Sequence, residues 1–248
     1  MKNLAISLFI LTVMLMSCAD EAKKNKLGKL YSLKDLKGEW VNIKYLKSVR
    51  ATKSAMAAQG VCEYSFVRFH NDSALLVISF HEGVDFKVDS LSDNVFKGTN
   101  DFDSTLFKLK NDTLFLTFQN KIDTLVAYPI TIASFTYANR LLNKEIFEGN
   151  YEVVGAGNKT ISFTADGQVS GFLNFSKYFV SDDYFDAGCN YDMIYFNTNK
   201  NDRTNKFTWK FKADTLCIYQ LDCAVFDTVS SYCTETKVGK LIYALKKK

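Results

Sequence analysis

The feature that most restricts this chain is a recurring pattern of short runs. Segments of five to seven residues rich in Phe, Tyr, Val and Thr are separated by clusters of Asn, Asp, Gly and Ser. Tyr64 to Phe69, Ala74 to Phe80, Leu114 to Phe118 and Lys206 to Lys212 are examples. Runs of this length and composition, bounded by turn formers, specify antiparallel strands. With one proline in 248 residues and 34 Phe and Tyr side chains to bury, the expected fold class is all-β, as meander barrels or sandwiches.

Three landmarks occur twice and in the same order. Leu36-Lys37-Gly38-Glu39-Trp40-Val41 is matched by Phe147-Glu148-Gly149-Asn150-Tyr151-Glu152 in its apolar, glycine and aromatic positions. The strand end Phe69 to Ser73 is matched by Phe163 to Gly167. Phe107 to Leu114 is matched by Trp209 to Leu216, with five of eight positions identical. The sequence therefore predicts an internal duplication into two β units, 36–135 and 147–248, with a linker at 136–146.

Gly38-Glu39-Trp40, preceded by Leu27, Leu30, Leu33 and Leu36 at a spacing suited to one short helix, resembles the start of the first strand of lipocalin-like barrels. The resemblance covers the beginning of each unit and implies Trp40 and Tyr151 as floor residues. It also implies that the insertion Ser48 to Cys62 is a lid over a cavity. Met56 in that insertion, and Tyr178, Tyr184 and Phe185 in a second long loop, are then candidate contacts for a small apolar or glycan ligand, since long loops on rigid scaffolds carry binding.

At the N-terminus, Lys2 precedes an apolar run from Leu4 to Met16. About thirteen residues is short of the roughly 20 needed to span a bilayer. The run ends at Leu15-Met16-Ser17-Cys18, which resembles the lipobox of bacterial lipoproteins. That resemblance implies a signal peptide over 1–17, diacylation of Cys18 and attachment to a membrane. Residues 18–35 then read as a flexible basic tether. Asp20-Glu21 resembles the export tag of Bacteroidetes surface lipoproteins, and the implied location is the outer membrane, facing the periplasm or the exterior.

The net charge of +4 resides in the tails, which together carry +7, so residues 38–245 carry −3. This argues against a nucleic-acid groove in the fold and leaves the basic tails, including Lys246 to Lys248, near anionic headgroups.

Catalytic and metal chemistry finds little support. Of the two histidines, His70 lies in a turn beside Asn71-Asp72. His81-Glu82-Gly83-Val84-Asp85 begins like a zinc-binding helix but has Asp85 where a second histidine is required, and Gly83 opposes the helix. Asp182, Asp183 and Asp186 match no calcium loop and read as a solvated acidic turn. No metal, cofactor or catalytic residue is assigned.

Five cysteines remain after Cys18, an odd number in an oxidising compartment. Cys223 and Cys233 flank a hairpin and form the preferred disulfide, and Cys189 with Cys217 is a second candidate pair. The functional expectation is a non-catalytic binding or accessory lipoprotein for an apolar or glycan ligand. The rival is a protein-interaction subunit of an outer-membrane assembly, or an inhibitor of a foreign enzyme, which would have filled barrels instead of a cavity.

Overall fold

The computed structural model describes residues 29–71, 73–78, 82–129, 137–181, 184, 190–197, 205–228 and 232–248. Cys18, His81, Asp182, Asp183, Phe185, Asp186 and Cys189, and the expectations attached to them, lie outside the described residues.

Tyr31 donates its backbone N–H to Asn94 Oδ1 at 2.6 Å, and its hydroxyl accepts from the Asp112 N–H at 3.1 Å. Residues 29–35 of the expected tether are thus tied to two hairpin turns. Helix α1 (Leu33–Leu36) follows, started by a Ser32/Asp35 capping box.

Eight strands then close into an antiparallel meander barrel: β1 (Gly38–Asn42), β2 (Tyr64–His70), β3 (Ser73–Ile78), β4 (Glu82–Ser92), β5 (Val95–Thr99), β6 (Ser104–Lys110), β7 (Thr113–Phe118) and β8 (Lys121–Ala127). Closure is direct, since β1 pairs with both β2 and β8. Alternation sends Thr105, Phe107 and Leu109 of β6 inward and the residues between them outward. Two-residue turns at Asn111-Asp112 and Gln119-Asn120 adopt positive φ, matching the twist of the flanking strands.

Two helices interrupt the barrel after β1: α2 (Ile43–Thr52) and α3 (Ala55–Ala58). The stretch expected as a linker is instead largely helical, as α4 (Tyr137–Leu142) and one π-helical turn (Asn143–Phe147) with Ile146 and Phe147 buried. Its apolar side chains fill the junction between the units.

The second unit again has eight strands: β9 (Gly149–Val153), β10 (Thr160–Phe163), β11 (Val169–Ser170), β12 (Lys177–Val180), β13 (Ile194–Asn197), β14 (Lys206–Lys212), β15 (Thr215–Asp227) and β16 (Tyr232–Lys247). Strand β9 pairs with β10 and β16, as β1 pairs with β2 and β8. The sheet runs β11-β10-β9-β16-β15-β14-β13-β12, and its outer strands meet through a single bridge, Gln168 to Lys177. Here the ladder is short, because β11 has only two residues.

The starts of β1 and β9 repeat in geometry. Gly38 and Gly149 both take positive φ, at 120° and 143°, which a side chain would oppose. Two residues later the aromatic reaches back four positions: Trp40 Nε1 donates to Leu36 O at 2.7 Å and Tyr151 Oη donates to Phe147 O at 2.8 Å. The C-terminal lysines are not a free tail. They sit at the end of β16, where Lys246 pairs with Asp214 at 3.3 Å, Lys248 with Glu152 at 3.2 Å, and Lys247 Nζ donates to Glu148 O at 2.9 Å.

Outward residues Val41, Phe66 and Val126 of the first barrel are covered, because α2 lies across that wall and the near end of the second unit packs on α2. One apolar core therefore joins Tyr45, Leu46 and Val49 of α2 to Ile146, Phe147, Tyr178 and Trp209. Trp209, 3% exposed, packs edge-on to Phe147 at 5.0 Å and donates its indole N–H to Lys53 O at 2.8 Å. Removing so large a buried side chain costs about 3–5 kcal/mol. Trp209→Ala is expected to lose that much stability and to split one calorimetric unfolding transition into two; a single transition with a loss below about 1 kcal/mol would show that the indole does not join the units.

Candidate functional site

The helix leading into the Ser48 to Cys62 insertion starts on Asn42, whose Oδ1 accepts from Lys44 N at 2.9 Å and whose Nδ2 donates to Tyr64 O at 3.0 Å. Helix α2 ends at Lys53 in the left-handed region, and Ser54 caps α3 by accepting from Ala57 N at 2.9 Å. This turn directs α3 at the second unit, where Met56 N donates to Asp192 Oδ1 at 2.9 Å. Burial raises the Asp192 carboxyl, while the N–H groups of Met56 and Ala55 and the hydroxyls of Ser54 and Tyr184 pull it back. The insertion is thus fastened to the second unit and forms the seam between the units.

A second fastening is electrostatic. Arg50 grips Glu145 with two bonds, Nε to Oε2 at 2.9 Å and Nη2 to Oε1 at 3.0 Å, and Tyr128 Oη donates to Oε1 at 2.7 Å. Lys53 Nζ donates to the Glu145 carbonyl at 2.7 Å. Burial would raise this carboxyl, but the Arg50 and Tyr128 bonds outweigh it and hold it below its ordinary value.

Side chains occupy the interiors. In the first barrel Phe69 meets Phe107 edge-on at 5.0 Å and Tyr64 meets Phe118 at 5.3 Å, among fully buried Leu76, Phe86 and Phe96. In the second unit Phe172 stacks on Phe196 at 4.0 Å, and Phe207 closes on Phe196 at 5.2 Å.

Tyr178 belongs to this second core. It is 3% exposed, packs on Phe163 at 5.2 Å, and donates its hydroxyl to Thr164 O at 2.7 Å. Tyr184 is half-buried against the same core, and its hydroxyl accepts from Met193 N at 3.1 Å. Met56 and Tyr184 thus meet at Asp192, while Tyr178 lies in the second core. His70 ends β2 and is exposed. Among the described residues, no cluster of three His, Cys, Asp or Glu side chains could hold a metal ion.

Cys223 and Cys233 form a disulfide, with Cα atoms 5.7 Å apart. Cys217 is a buried free thiol. Cys62 is also free, and burial pushes its thiol up to about 11.

The disulfide lies on a feature that the sequence did not reveal. Among the described residues, β15 past Gln220 pairs only with β16, and β16 meets β9 only from Leu245 onward. Residues 221–227 and 232–238 are therefore a two-stranded arm leaving the end of the second unit remote from the seam. Directly paired residues share a face. Tyr219 opposes Leu241, Leu221 opposes Val238, and Cys223 opposes Thr236. The disulfide brings Cys233 to that face, and Phe226 opposes Cys233. The result is an apolar stripe that is buried at its base, where Leu221 is 9% exposed, and open along the rest, with Phe226 59%, Leu241 50% and Val238 36% exposed. The other face carries the Asp222 and Lys237 pair.

No family model, no characterised protein and no solved structure matches this chain.

One ionisable pair sits on the covered wall of the first barrel. Glu39 opposes Arg68 across β1 and β2, with Arg68 Nε 3.3 Å from Glu39 Oε1. Burial raises the Glu39 carboxyl from its ordinary 4.5 to about 7, against the pull of Arg68. The folded protein holds this proton up to about pH 7, whereas the unfolded chain releases it near 4.5. The stability it confers is full below the lower value and is lost as pH rises through the upper one. Glu39→Gln removes that titration, so its melting temperature should gain on the wild type between pH 5 and pH 8. An equal gap at both pH values would show that Arg68 keeps Glu39 ionised throughout.

Proposed function

We propose that this chain is a lipid-anchored, non-catalytic protein-interaction module of the outer membrane, held through Cys18, with two lipocalin-like units derived by internal duplication. The observation that carries the interaction reading is that, among the described residues, interlocked aromatic side chains occupy both interiors. A barrel that hosts a small molecule keeps that volume open and lines it with a few convergent polar groups. Here the would-be lid is the seam, and the described candidates Met56, Tyr178 and Tyr184 are engaged in it or in the core. The duplication is supported by the repeated Gly-x-aromatic strand starts and by the equal strand number of the units.

The anchor is supported by sequence. Two or three acyl chains, at about 0.8 kcal/mol per buried methylene, make a durable attachment where one would not. Cys18→Ser is expected to move the protein from the membrane pellet to the soluble envelope fraction; retention in the pellet would sink the lipidation reading.

The interaction reading is tested on natively purified protein lacking residues 1–17 and carrying Cys18→Ser, whose own anchor contributes nothing. Mass spectrometry of its organic extract should reveal no stoichiometric small molecule. A one-to-one apolar or glycan ligand would overturn this reading and restore the cavity.

A further inference from the structure

Among the described residues, the disulfide-stapled arm of residues 221–227 and 232–238 contributes only Leu221, at its base, to the buried apolar residues and none to the seam. A bare two-stranded ribbon is marginal in water. Its edges would invite indiscriminate pairing unless blunted, and here bulges break the register near Tyr219, Val225 and Phe226, with Lys237 and Lys240 on the edge strand. The disulfide holds the ribbon in one geometry, which lowers the cost of ordering it on a partner. These devices keep an exposed apolar stripe rigid and specific.

Resting on the interaction reading above, we propose that this arm is the docking finger of the protein, and that its occupant is a cleft on a partner protein, apolar inside and rimmed by Arg or Lys. Two observations select this occupant. The first is area. Seven residues at about 3.3 Å rise make a finger about 20 Å long and about 10 Å wide, so one face offers about 200 Å². A stable interface needs about 800 Å² from each side. Two copies packed stripe to stripe fall well short, whereas a cleft that receives the finger covers both faces, both edges and the adjoining end of the second unit.

The second observation is charge. The described arm carries Asp222, Asp227 and Glu235 against Lys237; Asp222 and Lys237 face each other at its base, and Asp227 and Glu235 lie beyond them beside exposed Phe226 and Val225. An acidic apolar tip is repelled by a second identical tip and by anionic headgroups. Basic residues around an apolar cleft complement it and speed its capture.

The test places the photoreactive residue p-benzoylphenylalanine at Phe226 in the full lipoprotein in its native envelope, with the same probe at Phe102, which is 92% exposed on the first barrel. The expected result is an adduct to one protein from position 226 and none from 102. That adduct falls about tenfold when Asp227→Lys and Glu235→Lys are combined, and again when salt is raised from about 0.1 to about 1 M. Cys223→Ser with Cys233→Ser, checked for a native circular dichroism spectrum, should weaken the adduct similarly.

An adduct at 226 to lipid, to a second copy of this chain, or to a protein indifferent to the charge reversal overturns the finger. A protein adduct from 102 alone also overturns it and leaves the interaction reading standing. If neither position yields a protein adduct, both readings fall.

Discussion

The seam around Trp209 and Glu145 is the constraint on which the rest of the structure depends. The first barrel has an outer wall of Val41, Phe66, Val126 and Tyr128 that water would not tolerate, and α2 is amphipathic only if something covers its buried face. Both needs are met by one contact: the near end of the second unit packs on α2 and covers the wall through it. The bidentate Arg50–Glu145 pair and the indole bond to Lys53 fix the orientation of a contact that hydrophobic burial alone would leave loose.

How far the fold was legible follows from the range of each signal. Strand-forming composition is local, so the runs Tyr64 to Phe69, Leu114 to Phe118 and Lys206 to Lys212 fall on β2, β7 and β14. The Gly-x-aromatic motif is also local: its glycine takes a positive φ and its aromatic bonds four residues back. The Cys223–Cys233 pair spans ten residues and was visible for the same reason. Resemblance to the start of a lipocalin-like barrel suggested a lid over the first barrel, but it could not say which unit the insertion would bury against. That depended on Trp209 lying 156 residues from Lys53.

Other elements were missed because their sequences are ambiguous. The stretch 136–146 looks like a linker until Leu141, Leu142 and Ile146 are seen buried in the junction beside Phe147. Lys246 to Lys248 look like a solvated tail, yet strand pairing with β9 and β15 places each beside its own acceptor. The arm left a faint trace: from Thr215 to Asp227 and again from Tyr232 to Val238, no Asn or Gly interrupts the chain, so each strand outruns its neighbours. Outward apolar residues on β1 and β2 were the trace of the seam, since Val41 and Phe66 break the inside-outside alternation that a free barrel would keep.

The placement of α2 also bears on the order in which the chain becomes safe from misassembly. Strand β1 can pair with β8 once about 127 residues are available, so the first barrel can close early. Its α2 face, with Tyr45, Leu46 and Val49, finds its cover only when β14 and the junction helices have assembled. Contacts of such long sequence separation form slowly, and exposed apolar surface is the usual route to aggregation in the interval. The first barrel is therefore a poor candidate for production as an isolated fragment, and the arrival of the second unit serves it as a chaperone encoded in the same chain.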